Sequence, residues 1–152
     1  RTVNSISFTV EGRPAQQGAK RAFKHKHTGK IVMLDMSANL KPWRTQVSAA
    51  ARSEMRGEPP THDAVRVFLF FTFQRPKNHY GTGKNAGVLK AGRPRWYSSA
   101  PDIDKLSRAC LDAMTGIAYR DDSQVAGLTA EKAYGDAPGV RVVVEIASEE
   151  SP

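Results

Sequence analysis

Polar and apolar residues alternate strictly over Ser5–Glu11, the period of a half-buried strand, and Gly12-Arg13-Pro14 ends the run. After a loop to Lys20-Arg21, residues 22–25 and 30–34 are expected to pair as a hairpin around His27-Thr28-Gly29. The next stretch changes period. Trp43, Val47, Ala50 and Ala51 recur at helical spacing, Pro42 suits a first turn, and Gly57 is a stop, which predicts a helix over Leu40–Met55. Residues 64–73 are dense in Val and Phe and read as a strand. A second helix is predicted over Ile103–Met114, with Ile103, Leu106, Cys110 and Ala113 on one face and Thr115-Gly116 closing it. Residues 124–134 and 140–147 read as two strands joined through 135–139, expected as a hairpin, and 148–152 as a frayed tail. The order β-β-β-α-β-loop-α-β-β predicts one α+β domain over 1–152, a small mixed sheet with two main helices.

Between the two halves of this pattern, residues 74–100 show no apolar periodicity. They hold four glycines, two prolines, six Lys/Arg and no acid, together with Tyr80, Trp96 and Tyr97. A basic, flexible loop of this length is expected to be functional.

Composition adds charge to the picture. Of 152 residues, 39% are apolar and 25% charged, as in an ordinary globular chain. The longest apolar run, 67–71, is far short of a membrane span. The first 30 residues lack an apolar core, so no secretory signal is expected. The single cysteine, Cys110, excludes an intrachain disulfide and a Cys-rich zinc site, and makes a reducing cytoplasm the default. The net charge of +8 is uneven: +6 over residues 1–63, +7 over 64–100 and −5 over 101–152. Clustered Lys/Arg reward contact with a polyanion, so DNA is the expected partner, against the plainer reading of a basic surface that faces only water. Lys20, Arg21, Lys24 and Lys26, with Lys30, form the densest basic cluster, and Arg75, Lys77, Lys84, Arg93 and Arg95 extend it through the loop. The loop aromatics either stack on exposed bases or enter the core.

Several chemistries drop out. Gly81-Thr82-Gly83-Lys84 lacks the glycine and the Ser/Thr of a phosphate loop, having Asn78 and Asn85 there. His25, His27, His62 and His79 have no helical HxxxH spacing. Glu131-Lys132 lacks the intervening residue of a PD-(D/E)xK nuclease. What stays is Pro101-Asp102-Ile103-Asp104, then Asp112, then Asp121-Asp122. On an extended backbone Asp102 and Asp104 share one side, where they can hold a cation, while Ile103 turns to the core. Asp122 returns after the helix as a third carboxylate. Asp112, about 12 Å along the helix from Asp104, suits the same ion less well. Hard carboxylate ligands fit Mg²⁺-assisted phosphodiester hydrolysis. The competing reading is structural: Asp102 or Asp104 as an N-cap, Asp112 paired with Arg108 at i, i+4, and Asp121-Asp122 as turn residues.

The run Pro101-Asp102-Ile103-Asp104, Leu111-Asp112-Ala113 and Gly116, followed by Asp121-Asp122-Ser123-Gln124-Val125, resembles the signature of the RusA family, phage and bacterial Holliday-junction resolvases. The close match covers about 25 residues, with looser agreement elsewhere. The resemblance implies a RusA-like fold and a homodimeric endonuclease that makes paired symmetric cuts in a four-way junction. It also implies Mg²⁺, with Mn²⁺ as a possible substitute, and work on DNA in a bacterial cytoplasm. It places the catalytic and metal-binding aspartates at Asp102, Asp104 and Asp122. Two positions depart from the family: Lys105 stands where Asn is common, and Arg108 where the family has a catalytic lysine. Arginine keeps the charge but does not exchange a proton at neutral pH, and Lys105 is a candidate partial substitute. Rival readings are a non-catalytic DNA-binding module and a metal nuclease for other branched DNA.

Overall fold

A computed structural model describes residues 4–18, 20–35 and 39–149, with side chains left out at 20–23 and 32–35. The elements are β1 (Ser5–Glu11), β2 (Lys20–Lys24), β3 (Ile31–Asp35), α1 (Leu40–Met55), β4 (Val65–Gln74), α2 (Ile103–Met114), β5 (Val125–Gly135) and β6 (Gly139–Ile146). Single 3₁₀ turns at Lys77–His79, Gly83–Asn85 and Asp122–Gln124 punctuate the connections. Four strands form one mixed sheet in the order β1-β6-β4-β5, and β2-β3 forms a separate antiparallel pair. With its two helices this is an α+β fold.

Period-two burial fixes which face each strand turns inward. Ile6, Phe8 and Val10 of β1 are buried, as are Val65, Val67, Leu69, Phe71 and Phe73 of β4 and Val140, Val142 and Val144 of β6. These rows form the core with Trp43, Val47, Ala51 and Met55 of α1 and Leu106, Cys110, Ala113 and Met114 of α2. Each fully buried Leu, Val or Phe contributes about 1.5–3 kcal/mol of transfer free energy. Helix α1 ends where Arg56 turns left-handed (φ 50°), followed by Gly57 at φ 81°.

The structure corrects the sequence reading at one pairing. β5 and β6 are not a hairpin. β5 runs parallel to β4, from Val65↔Val125 to Gln74↔Gly135, whereas β6 runs antiparallel to the far side of β4 and to β1. β4 therefore separates the two strands, and the turn between them steps over its end. The parallel β4–β5 pair requires a long crossover, supplied by the basic segment and α2. That segment also carries local order: Gly81 N donates to Val88 O at 2.9 Å and Lys90 N to His79 O at 2.9 Å, closing a small hairpin-like lobe. The frayed end expected at 148–152 falls partly outside the described residues. No helix among the described residues is long and apolar enough to cross a membrane.

Candidate active site

Asp102 is the residue before α2. Its backbone is extended (φ −70°, ψ 140°), and its carbonyl accepts from Leu106 N at 3.0 Å. An aspartate in this position ordinarily turns its carboxylate onto helix N–H groups. Here the side chain makes no cap bond. It is exposed, with Lys105 Nζ 3.6 Å away. Asp104, in the first turn, is also exposed, and among the described residues no donor or cation is paired with it. The helix start favours negative charge at both positions. The extended backbone expected across the pair stops at Asp102, because the helix begins at Ile103, where its apolar spacing predicts. Ile103 is 37% exposed instead of turned to the core, since the buried stripe of α2 starts one turn later at Leu106.

The second pair of aspartates divides its work. Asp121 is a cap: its Oδ2 accepts from Ser123 N at 3.1 Å, and Gln124 Oε1 accepts from the N–H groups of Asp121 and Arg120 at 2.9 and 2.8 Å. Those bonds from Ser123 hold the Asp121 carboxyl below its usual range. Gln124 Nε2 also donates to Thr61 O and Asp63 O at 2.9 and 2.8 Å, bolting the turn to the segment before β4. The Asp122 carboxylate is left exposed, with no hydrogen bond or ion pair among the described residues.

Asp122 lies in the turn that follows Tyr119, whose side chain reaches back to α2. The Tyr119 hydroxyl donates to Leu111 O at 2.7 Å. Burial raises its pKa first, and the negative charges of Asp122 and Asp112 raise it further. Leu111 is about 10 Å along the helix axis from Asp104. Asp102 and Asp104 thus mark the start of α2, and Asp122 follows the helix in the capped turn. Among the described residues no group of three His, Cys, Asp or Glu is close enough to hold one metal ion. Arg108 lies one turn beyond Asp104 on the exposed side of α2 and pairs with neither Asp104 nor Asp112. Mg²⁺ commonly takes only one or two carboxylates and completes its shell with water and phosphate oxygens. The exposed carboxylates of Asp102 and Asp104, neither of them spent on a helix cap, fit that requirement.

Two residues near the start of α2 escaped the sequence reading. Lys132, on β5, donates from Nζ to the carbonyls of Ser99 and Pro101, both at 2.7 Å. Its register places it opposite buried Phe71, in a row where an apolar side chain is the norm; a lysine in that row was the available signal. The guanidinium of Arg13 lies 5.5 Å from the centre of the Phe73 ring, which stacks on Tyr97 at 4.1 Å. Only its place in Gly12-Arg13-Pro14 hinted at this.

The basic residues fall into distinct settings. Lys24, Lys26 and Lys30 are exposed around the β2–β3 turn, whereas the side chains of Lys20 and Arg21 lie outside the described residues. Lys77, Lys84 and Arg93 are exposed. Arg75 is half-buried over Tyr134, 5.0 Å from the ring centre, and meets His79 Nδ1 at 3.3 Å. Buried His79 has its pKa lowered, first by desolvation and then by Arg93, Arg75 and Lys90. Arg95 covers Trp96 at 4.7 Å. The two loop aromatics divide: Tyr97 packs on Phe73, while Trp96 is 50% exposed.

Comparison with known proteins bears on the same frame. The uncharacterized protein YqaN of Bacillus subtilis (strain 168) is 30% identical over 146 residues, covering 93% of this chain and 96% of that protein. A family model described as endodeoxyribonuclease RusA matches residues 11–146. The match runs from the end of β1 through β6 and takes in α2, the capped turn and every aspartate discussed above, so the chain belongs to the RusA endodeoxyribonuclease family.

Proposed function

We propose that the protein is a Mg²⁺-dependent resolvase of phage or prophage type. It makes paired symmetric cuts in four-way DNA junctions, as a homodimer in the bacterial cytoplasm. Membership in the RusA family supports a nuclease acting on branched DNA. The observation that carries the finer reading is Asp102: it occupies a helix cap yet its carboxylate makes no cap bond and is exposed, met only by Lys105, two residues before the exposed Asp104. A two-fold junction needs two coordinated cuts, which a two-fold protein supplies.

In this reading Asp102 and Asp104 hold the ion, and Mn²⁺ takes its place where available. Held there, the ion would supply a bound water of lowered pKa and a Lewis acid for the scissile phosphate. The phosphodiester lies along the exposed side of α2, with Arg108, one turn beyond Asp104, stabilising charge on its oxygens. Asp122 is the third carboxylate of the set, reaching the group from its far side. Lys105 neutralises Asp102 until the ion arrives. Lys20, Arg21, Lys24 and Lys26, with the segment from Arg75 to Arg95, hold the junction arms by their phosphates.

The test is a labelled synthetic four-way junction, incubated with and without Mg²⁺ and resolved on a sequencing gel. Wild type is expected to give paired cuts only with Mg²⁺. Asp102→Asn and Asp104→Asn are each expected to lose cutting by about a hundredfold or more while binding persists in EDTA. Retained cutting by either variant overturns the proposal. That no three such ligands are grouped for one ion among the described residues favours the second reading, a non-catalytic DNA-binding module. Such a module binds equally in Mg²⁺ and EDTA and never nicks the junction. Flaps and forks in the same assay test the third, a nuclease for other branches.

A further inference from the structure

We propose that Lys132 is a positioning residue that sets the affinity of the Asp102–Asp104 pair for its divalent cation, by clamping the backbone strap that leads into α2. The inference rests on the metal site of the preceding section and adds a residue to it.

The strap is residues 97–101. Its first residue is held by backbone, with Tyr97 N donating to Lys132 O at 3.0 Å. Its last three carbonyls are each met by a side-chain donor: Ser99 O and Pro101 O by Lys132 Nζ, and Ala100 O by the Tyr97 hydroxyl at 2.8 Å. The two donors are themselves fixed. The Lys132 ammonium lies 5.4 Å from the centre of the Tyr97 ring. That ring stacks on Phe73 at 4.1 Å and meets Tyr134 edge-on at 5.1 Å. β5 therefore grips the strap through one residue at two points, main chain and ammonium, and Asp102 is the next residue out.

Ordinary folding needs do not account for this lysine. It belongs to the β5 row that faces the helices, where an apolar side chain satisfies the core and costs less side-chain entropy. The exposed Ser99 carbonyl has water as an alternative partner, so the bond to buried Pro101 does not by itself call for the second grip. What the clamp adds is a fixed backbone immediately before two exposed carboxylates that repel each other. Holding them together in the absence of the ion costs free energy, and a mobile strap relieves that cost by letting Asp102 swing away. A clamped strap keeps the pair preorganised, so less ordering remains to be done when the cation binds. Partners that orient metal ligands without touching the metal typically change affinity by about 10–100-fold when removed.

The experiment is calorimetric titration of Mn²⁺ into the full chain, with thermal unfolding and EDTA-phase junction binding measured on the same samples. Lys132→Met keeps length and loses the donor, and is expected to raise the Mn²⁺ dissociation constant about tenfold or more, with junction binding in EDTA within about twofold of wild type. Lys132→Arg, which keeps charge and donors, is expected to recover much of the loss. Tyr97→Phe removes only the bond to Ala100 O and is expected to weaken Mn²⁺ binding about fivefold, so it serves where Lys132→Met folds poorly. Mn²⁺ affinity unchanged in folded Lys132→Met or Tyr97→Phe overturns the proposal. So does a loss that tracks melting temperature alone, with no rescue by arginine. A wild-type chain that binds Mn²⁺ but cuts no junction removes the resolvase reading, and the shift in Mn²⁺ affinity still decides the role of Lys132.

Discussion

Adjacent aspartates of identical chemistry are told apart by their hydrogen bonds. Asp121 accepts from Ser123 N and is part of a capping box, while Asp122 is uncommitted. Asp121→Asn is expected to lower the urea midpoint at pH 7 and leave junction cutting near wild type; Asp122→Asn is expected to do the reverse. The sign of the pH effect follows from the depressed pKa of Asp121. Its contribution is fully present above the ordinary carboxyl pKa of about 4 and is lost as pH falls through the lower folded-state value. The midpoints of wild type and Asp121→Asn should therefore converge in acid. Urea titrations at pH 7 and pH 3 check this. The sequence showed Asp121-Asp122 as a motif but not its division of labour, because that division depends on Gln124 reaching the carbonyls of Thr61 and Asp63, some sixty residues away.

Among elements, α2 ties the core to the site. Leu106 is fully buried one turn after Asp102, whose carbonyl takes its N–H. Leu106→Ala is expected to cost about 2–5 kcal/mol, measured by urea unfolding, because α1 and the sheet cannot fully close on the cavity. Both helices were legible to the residue, as their apolar spacing is a local signal and their stops, Gly57 and Thr115-Gly116, adjoin it. The pairing of β5 and β6 was not legible. A short glycine-bounded turn looks the same whether the strands touch or stand one strand apart, and only the register of β4 separates the cases. The role of Lys132 was hidden for the same reason: its partners, Ser99 and Pro101, are contiguous in space but not in sequence.

At the scale of the molecule, charge is segregated along the chain. The segment 64–100 carries +7, and its Lys77, Lys84 and Arg93 are exposed, while the acids crowd the last third. Binding to junction DNA in EDTA is expected to weaken linearly in log–log salt titrations. Replacing Lys84 or Arg93 by Ala should reduce the slope by about one for each phosphate contact removed. Competition by junctions of unrelated sequence checks that the loss is uniform. The sheet itself imposes an order of events. Among the described residues β1 pairs only with β6, far along the sequence, and β4 lacks one neighbour until β6 is in place. A nascent chain halted before Gly139 has an unfinished sheet. Any break in the chain ahead of that residue thus leaves β1 without a partner and one edge of β4 open, so the two ends of the described fold stand or fall together.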